Sequence, residues 1–233
     1  GELPLTLGFT FPELSESSKL IEQARDQLSG GMIELLDGEG LPTSRHLEAT
    51  RPLLACWTRC GFIGRSMKSA ILTDDARTQF EWFVLQCLRL TRPDGSHAFS
   101  RGLAGAYCAP LFEAALALTG DRSDRRVADT MLPRRQRPSS PPKSISKPSV
   151  NSEWAEVSVL RRAWSRGSEH LAITYHKQQL NWELNSGNVT LWSGSAVPDI
   201  KIDGRPLAAT GEWSEVCWVS DDDGDYLELE LPV

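Results

Sequence analysis

Between Pro133 and Pro148 the chain carries five prolines and four serines, with no helical or strand periodicity. Proline lacks an amide hydrogen and fixes φ, so neither a regular helix nor a central strand passes through such a stretch. The chain must therefore organise itself on either side of it, and the two sides differ in texture. Four of the five cysteines precede it, and six of the eight tryptophans follow it. The spacing predicts a helical part over residues 1–132, an extended linker over 133–151, and strands from 152 to 233.

In the first part, Leu20, Ile21, Ala24, Leu28, Met32 and Leu35 recur every three to four residues. This predicts an amphipathic helix from about Leu14 to Leu36, with a weak point at Gly30-Gly31. A second helix is expected from Ser44 to about Arg59, with Pro52 bending it or marking a later start. A third should begin at Thr73, an N-cap followed by Asp74 and Asp75, which offset the positive helix end. It stops at the turn sequence Thr91-Arg92-Pro93-Asp94-Gly95. A fourth is expected over Ala104–Leu118 and a shorter one over Ser123–Met131. Beyond the linker, seven strands are expected: Ala155–Leu160, Leu171–Tyr175, Leu180–Leu184, Val189–Trp192, Asp199–Ile202, Ser214–Val219 and Tyr226–Leu231. Turns at Ser186-Gly187, Asp203-Gly204 and Asp221–Asp225 separate them, the spacing of an antiparallel sheet. In the last strand Leu227, Leu229 and Leu231 alternate with Glu228 and Glu230, giving one buried and one wet face. Further strands are expected beyond it, since a sheet ending there leaves an open edge.

Net charge is −6, but the stretch from Asp121 to Pro148 is +5. The acidic remainder argues against a broad nucleic-acid surface, so the basic run is read as a solvated linker. No apolar run reaches the roughly 20 residues of a membrane span, and no signal peptide is visible at this start. Cys56, Cys60, Cys87, Cys108 and Cys217 are odd in number and read as reduced thiols rather than a disulfide framework or a zinc site. No cofactor or metal is called, and oligomeric state is left open.

A helical layer followed by an antiparallel sheet is the plan of the heparinase II/III-like group, and four segments resemble it. Leu88 to Ser100 (LRLTRPDGSHAFS) looks like a toroid turn. Ser152 to His176 looks like the opening strands of a sandwich, and Leu180 to Gly194 (LNWELNSGNVTLWSG) like the hairpin that follows. Glu212 to Leu231 resembles the tryptophan-containing strands of uncharacterised bacterial members. The resemblance implies an α/α-toroid-like helical part joined to an incomplete antiparallel β-sandwich, within a longer protein. It also implies a periplasmic or extracellular setting.

Its chemistry would be β-elimination on an acidic, uronate-containing polysaccharide. That reaction neutralises a carboxylate, removes the C5 proton and protonates the leaving oxygen. On this chain the resemblance points to His97, Tyr107 and His176 as catalytic candidates. Arg101, Trp182 and Trp192 are the substrate-binding candidates, the indoles stacking on sugar rings. The sequence departs from the active pattern in two places. The Glu of the Glu-Gln-Ser-like segment is absent at Ala98-Phe99-Ser100. Of a His-x-His-x-Asp-like run only His176 stands. The alternative is therefore a non-catalytic carbohydrate-binding or structural member on the same scaffold.

Overall fold

The computed structural model describes residues 1–100, 106–133, 146–197 and 200–233. Among these, helices precede strands throughout. The helices are α1 (Glu2–Thr10), α2 (Ser17–Leu35), a 3-10 segment (Ser44–Ala49), α3 (Thr50–Met67), α4 (Asp74–Arg89), α5 (Ala109–Thr119) and α6 (Arg122–Met131). The strands are β1 (Val150–Ser152), β2 (Val157–Arg161), β3 (His170–His176), β4 (Gln179–Ser186), β5 (Val189–Ala196), β6 (Ile200–Ile202), β7 (Arg205–Leu207), β8 (Ser214–Ser220) and β9 (Asp225–Glu230). Strands β1 to β5 form one antiparallel meander, while β6–β7 and β8–β9 are separate two-stranded pairs.

Several local expectations meet their physical cause here. Thr73 caps α4, its hydroxyl accepting the Ala76 amide. Pro52 stands in the first turn of α3, where its missing amide hydrogen costs nothing, and the segment before it becomes a 3-10 turn. Helix α2 runs unbroken through Gly30 and Gly31, because packing on α1 and α4 outweighs glycine's low propensity. Helix α5 starts at Ala109, with Pro110 near its start, and residues 106–108 of the expected helix are not helical. Residues 104 and 105 of that expected helix lie outside the described residues, as do most of the proline-rich stretch and Asp199. Helix α1 and strands β1 and β7 were not expected. Each is short, and α1 shows no amphipathic stripe.

Two buried apolar clusters hold the molecule. The larger lies among the helices and includes Leu54, Trp57, Phe80, Phe83, Leu88 and Phe112. The second crosses from helices to sheet: Leu41, Leu47, Leu90 and Ala98 pack against Val150, Val157, Val159 and Ala172. The two halves are thus joined by a shared seam, not only by the chain between them.

The register explains why the seam is part glue and part opening. One row of cross-strand partners on the helix-facing side reads Val150, Val159, Ala172, Glu183, Ser193. The rows beside it read Val157, Thr174, Asn181, Ser195, and Arg161, His170, Asn185, Thr190. Because side chains alternate across a strand, these rows share a face that passes from apolar at β1–β2 to polar at β4–β5. The apolar end seals against the helices. The polar end stays open.

Candidate functional site

The open end of the seam is a cleft of about 770 Å³, within the roughly 300–1,000 Å³ of ordinary small-molecule sites. Its helical wall comes from the 3-10 segment (Ser44, Arg45, Glu48) and the turn after α4 (Arg92, Asp94, Phe99). Its sheet wall is amide and hydroxyl: Gln179, Asn181, Thr190, Ser193 and Ser195, with Glu183. Such a lining offers many hydrogen bonds and little apolar surface, which suits a polyhydroxylated ligand better than a hydrocarbon.

At one end of the cleft an ion pair ties the walls together. Arg92 donates from Nε and Nη2 to the two Glu183 oxygens at 2.5 and 2.7 Å. Glu183 also accepts from the Asn185 amide at 2.9 Å and from the Phe99 backbone at 3.3 Å. Burial would raise the Glu183 carboxyl, but these donors, Arg92 first among them, hold it below the usual range. Beneath this pair the seam is densely cationic. Arg161 is almost fully enclosed and donates to the carbonyls of Arg89 at 3.2 Å and Thr91 at 2.6 Å, at the C-terminal end of α4. Burial brings its pKa down to about 9. The spent charge of Arg92 leaves Arg45, exposed and without an ion-pair partner among the described residues, as the cation a bound anion would meet.

At the other end, Glu156 sits in the β1–β2 turn with φ +56°. Its Oε2 accepts from the Ser44 hydroxyl at 3.0 Å and lies 2.7 Å from His176 Nδ1. The Ser44 amide donates to the Ala155 carbonyl at 2.8 Å, and the Tyr175 amide donates to the Glu156 carbonyl at 3.1 Å. This turn is therefore held against both the helical segment and β3. His176 pairs across strands with Gln179, a wall residue of the cleft.

The sequence candidates fall into separate places. His97 is 1% exposed, stacked on Phe112 at 5.8 Å, and neither ring nitrogen has a hydrogen-bond partner. Burial first, then the charges of Arg92 and Arg51, push its pKa down to about 4. Tyr107 lies 6.4 Å from the same Phe112 ring and donates to the Pro133 carbonyl at 3.1 Å. The close approach of its ring leaves no room for a side chain at Gly95, which has φ +87°. His97 pairs with Thr91, whose carbonyl Arg161 reaches, and Arg161 is the cross-strand partner of His170. His176 stands six residues further along β3, about 20 Å away at the rise of an extended strand. The structure thus brings His97 and Tyr107 together around Phe112 and sets His176 at the opposite end of the seam. Arg101 lies outside the described residues. Trp182 and Trp192 lie 5.0 Å apart, on the sheet face opposite to Glu183. The Trp182 ring covers Gly194, and Trp192 is exposed.

Sequence reasoning passed over Glu156, Arg45, Glu183 and the buried His170, whose pKa burial drives well below its ordinary value. A signal existed for Glu183: Asn181, Glu183 and Asn185 alternate with Trp182 and Leu184, marking one polar face of β4. None existed for Glu156, which acts from a turn. All five cysteines are free. Among the described residues no group of three or more His, Cys, Asp or Glu side chains is placed to hold a metal ion, and no helix is long and apolar enough to cross a membrane.

No protein-family model matches the sequence, and no curated protein matches it significantly. The fold does have counterparts among solved structures. One is a heparinase III, at TM-score 0.74 and 12% identity, covering 98% of this chain and 39% of that one. Another is the heparan sulfate lyase HepC from Pedobacter heparinus, at TM-score 0.66 and 11% identity, covering 99% of this chain and 40% of that one. The chain spans about two-fifths of the length of these structures, and at such identity the likeness is one of fold.

Proposed function

We propose that this chain belongs to a polysaccharide lyase-like protein of the heparinase II/III kind, and that the cleft on the seam receives an acidic, uronate-containing polysaccharide. Residues 1–132 are then the toroid-like helical part, the linker expected over 133–151 ends where β1 begins at Val150, and the chain from there to 233 is the beginning of a β-sandwich. The observation that carries the reading is the composition of the cleft: a row of amides and hydroxyls on β4 and β5 faces the unpaired guanidinium of Arg45. Hydroxyls and amides match sugar hydroxyls, and guanidinium matches a carboxylate or sulfate. In β-elimination Arg45 would neutralise the uronate carboxylate and His176, whose cross-strand partner Gln179 lines the cleft, would take the C5 proton. Trp182 and Trp192, on the opposite face of the sheet, would offer a stacking surface outside the cleft.

The non-catalytic reading also has an observation in its favour. His97 and Tyr107 are packed around Phe112, remote from His176, so among the described residues neither candidate donor stands opposite that base. Incubation with a panel of uronate-containing polysaccharides separates the two. Growth of the ultraviolet absorbance of an unsaturated uronate establishes elimination. Saturable binding without that absorbance establishes a carbohydrate-binding member, and neither result would sink the carbohydrate assignment.

A further inference from the structure

We propose that Glu156 is a positioning residue for His176: its carboxylate fixes the imidazole as the Nδ1–H tautomer, leaving the Nε2 lone pair as the proton acceptor, on a strand end whose cross-strand partner Gln179 lines the cleft. As a statement about catalysis this rests on the lyase-like reading above. As a statement about the ring it does not.

Three observations carry it. The first is contact: Glu156 Oε2 lies 2.7 Å from His176 Nδ1, and an ionised carboxylate only accepts hydrogen bonds, so Nδ1 must bear the proton. Nε2 has no hydrogen-bond partner among the described residues. The second is that the carboxylate is itself held. Ser44, a cleft residue from the helical half, donates to the same Oε2 at 3.0 Å, so the carboxylate is oriented by one half of the molecule while it orients a side chain of the other. The third is backbone cost. Glu156 keeps φ at +56°, a region that glycine occupies freely and a side-chain-bearing residue only at a penalty. A turn needing only shape would be served better by glycine. A glutamate held there supplies its side chain. Carboxylate, imidazole and an open nitrogen are the parts by which a histidine base is kept in its working tautomer. The proton taken by Nε2 makes an imidazolium, whose charge the adjacent carboxylate stabilises, and it leaves to the leaving oxygen or to water.

The test reads the ring directly. Protein labelled with 15N-histidine, at pH 8.5 where an ordinary imidazole is neutral, gives four ring systems, and H176N assigns the fourth. Wild-type His176 is expected as Nδ1–H, and E156A should move it to Nε2–H. Should E156A fail to fold, E156L replaces it, since an apolar side chain of similar size has no acceptor for Nδ1–H and should shift the ring in the same direction. A wild-type ring protonated at Nε2, or a ring unchanged by loss of the carboxylate, overturns the proposal. Where wild type yields unsaturated product, E156A should lower kcat about 10- to 100-fold with little change in KM, and an unchanged kcat would overturn it as well. Where wild type yields none, the lyase reading fails and the ring measurement alone decides.

Discussion

Acid should loosen the seam, and His97 sets the size of the effect. Its folded pKa is about 4, against roughly 6.5 for a histidine in an unfolded chain. The folded value is the depressed one, so the unfolded state binds the proton first as pH falls. His97's contribution is complete above pH 6.5, is lost as pH drops from there, and stops changing near pH 4. The full span is worth about 3 kcal/mol, and the portion between pH 7.5 and pH 5 about 2 kcal/mol. His170 acts in the same direction, since burial and the charges of Arg161 and Arg92 lower it too. Asp124 opposes them: its carboxyl is raised to about 6, chiefly by burial, with Asp121 adding, so it favours the folded state as pH falls below that. The wild-type curve therefore mixes signs, and the informative quantity is a difference. Urea unfolding at pH 7.5 and pH 5 should show a pH-dependent loss about 2 kcal/mol smaller in H97Q than in wild type. Equal losses in the two proteins would mean that His97 is hydrated in the folded state, and the buried seam described above would be wrong at its centre.

Three other outcomes follow from the same contacts. Replacing Glu183 by Ala leaves Arg92 without its carboxylate and the Phe99 amide and Asn185 without an acceptor; removing one member of a largely buried pair should cost about 3 kcal/mol in urea unfolding. Arg161→Met should cost about 2 kcal/mol by the same measurement, because two carbonyls at the end of α4 lose their donor. Arg45→Ala should leave the melting temperature nearly unchanged, its side chain being exposed, yet weaken binding of an acidic oligosaccharide about tenfold by calorimetry, the value of one lost charge-assisted hydrogen bond.

Much of the fold was legible because it is written in local rules. The Thr73 cap, the alternation in β9, whose leucine face is half-buried rather than buried, and the Asp203-Gly204 turn, where both residues take positive φ, depend on neighbours in sequence. The site was less legible because it depends on partners far apart. Glu156 meets Ser44 across 112 positions, and Arg92 meets Glu183 across 91. Nothing in the identity of a turn glutamate reveals such a partner. His97 illustrates the reverse error. Its turn sequence reads as surface, but the Thr91–His97 bridge folds the turn back under the sheet and encloses the ring.

The guanidinium of Arg161 has one more consequence. It leaves a strand of the sheet and terminates a helix of the other half, supplying donors that water would otherwise provide to the last carbonyls of α4. The sheet thus finishes a helix of the other half. Severing the peptide chain between them would not yield two self-sufficient modules: the fragments would need one another to complete their hydrogen bonding, and would recombine rather than drift apart.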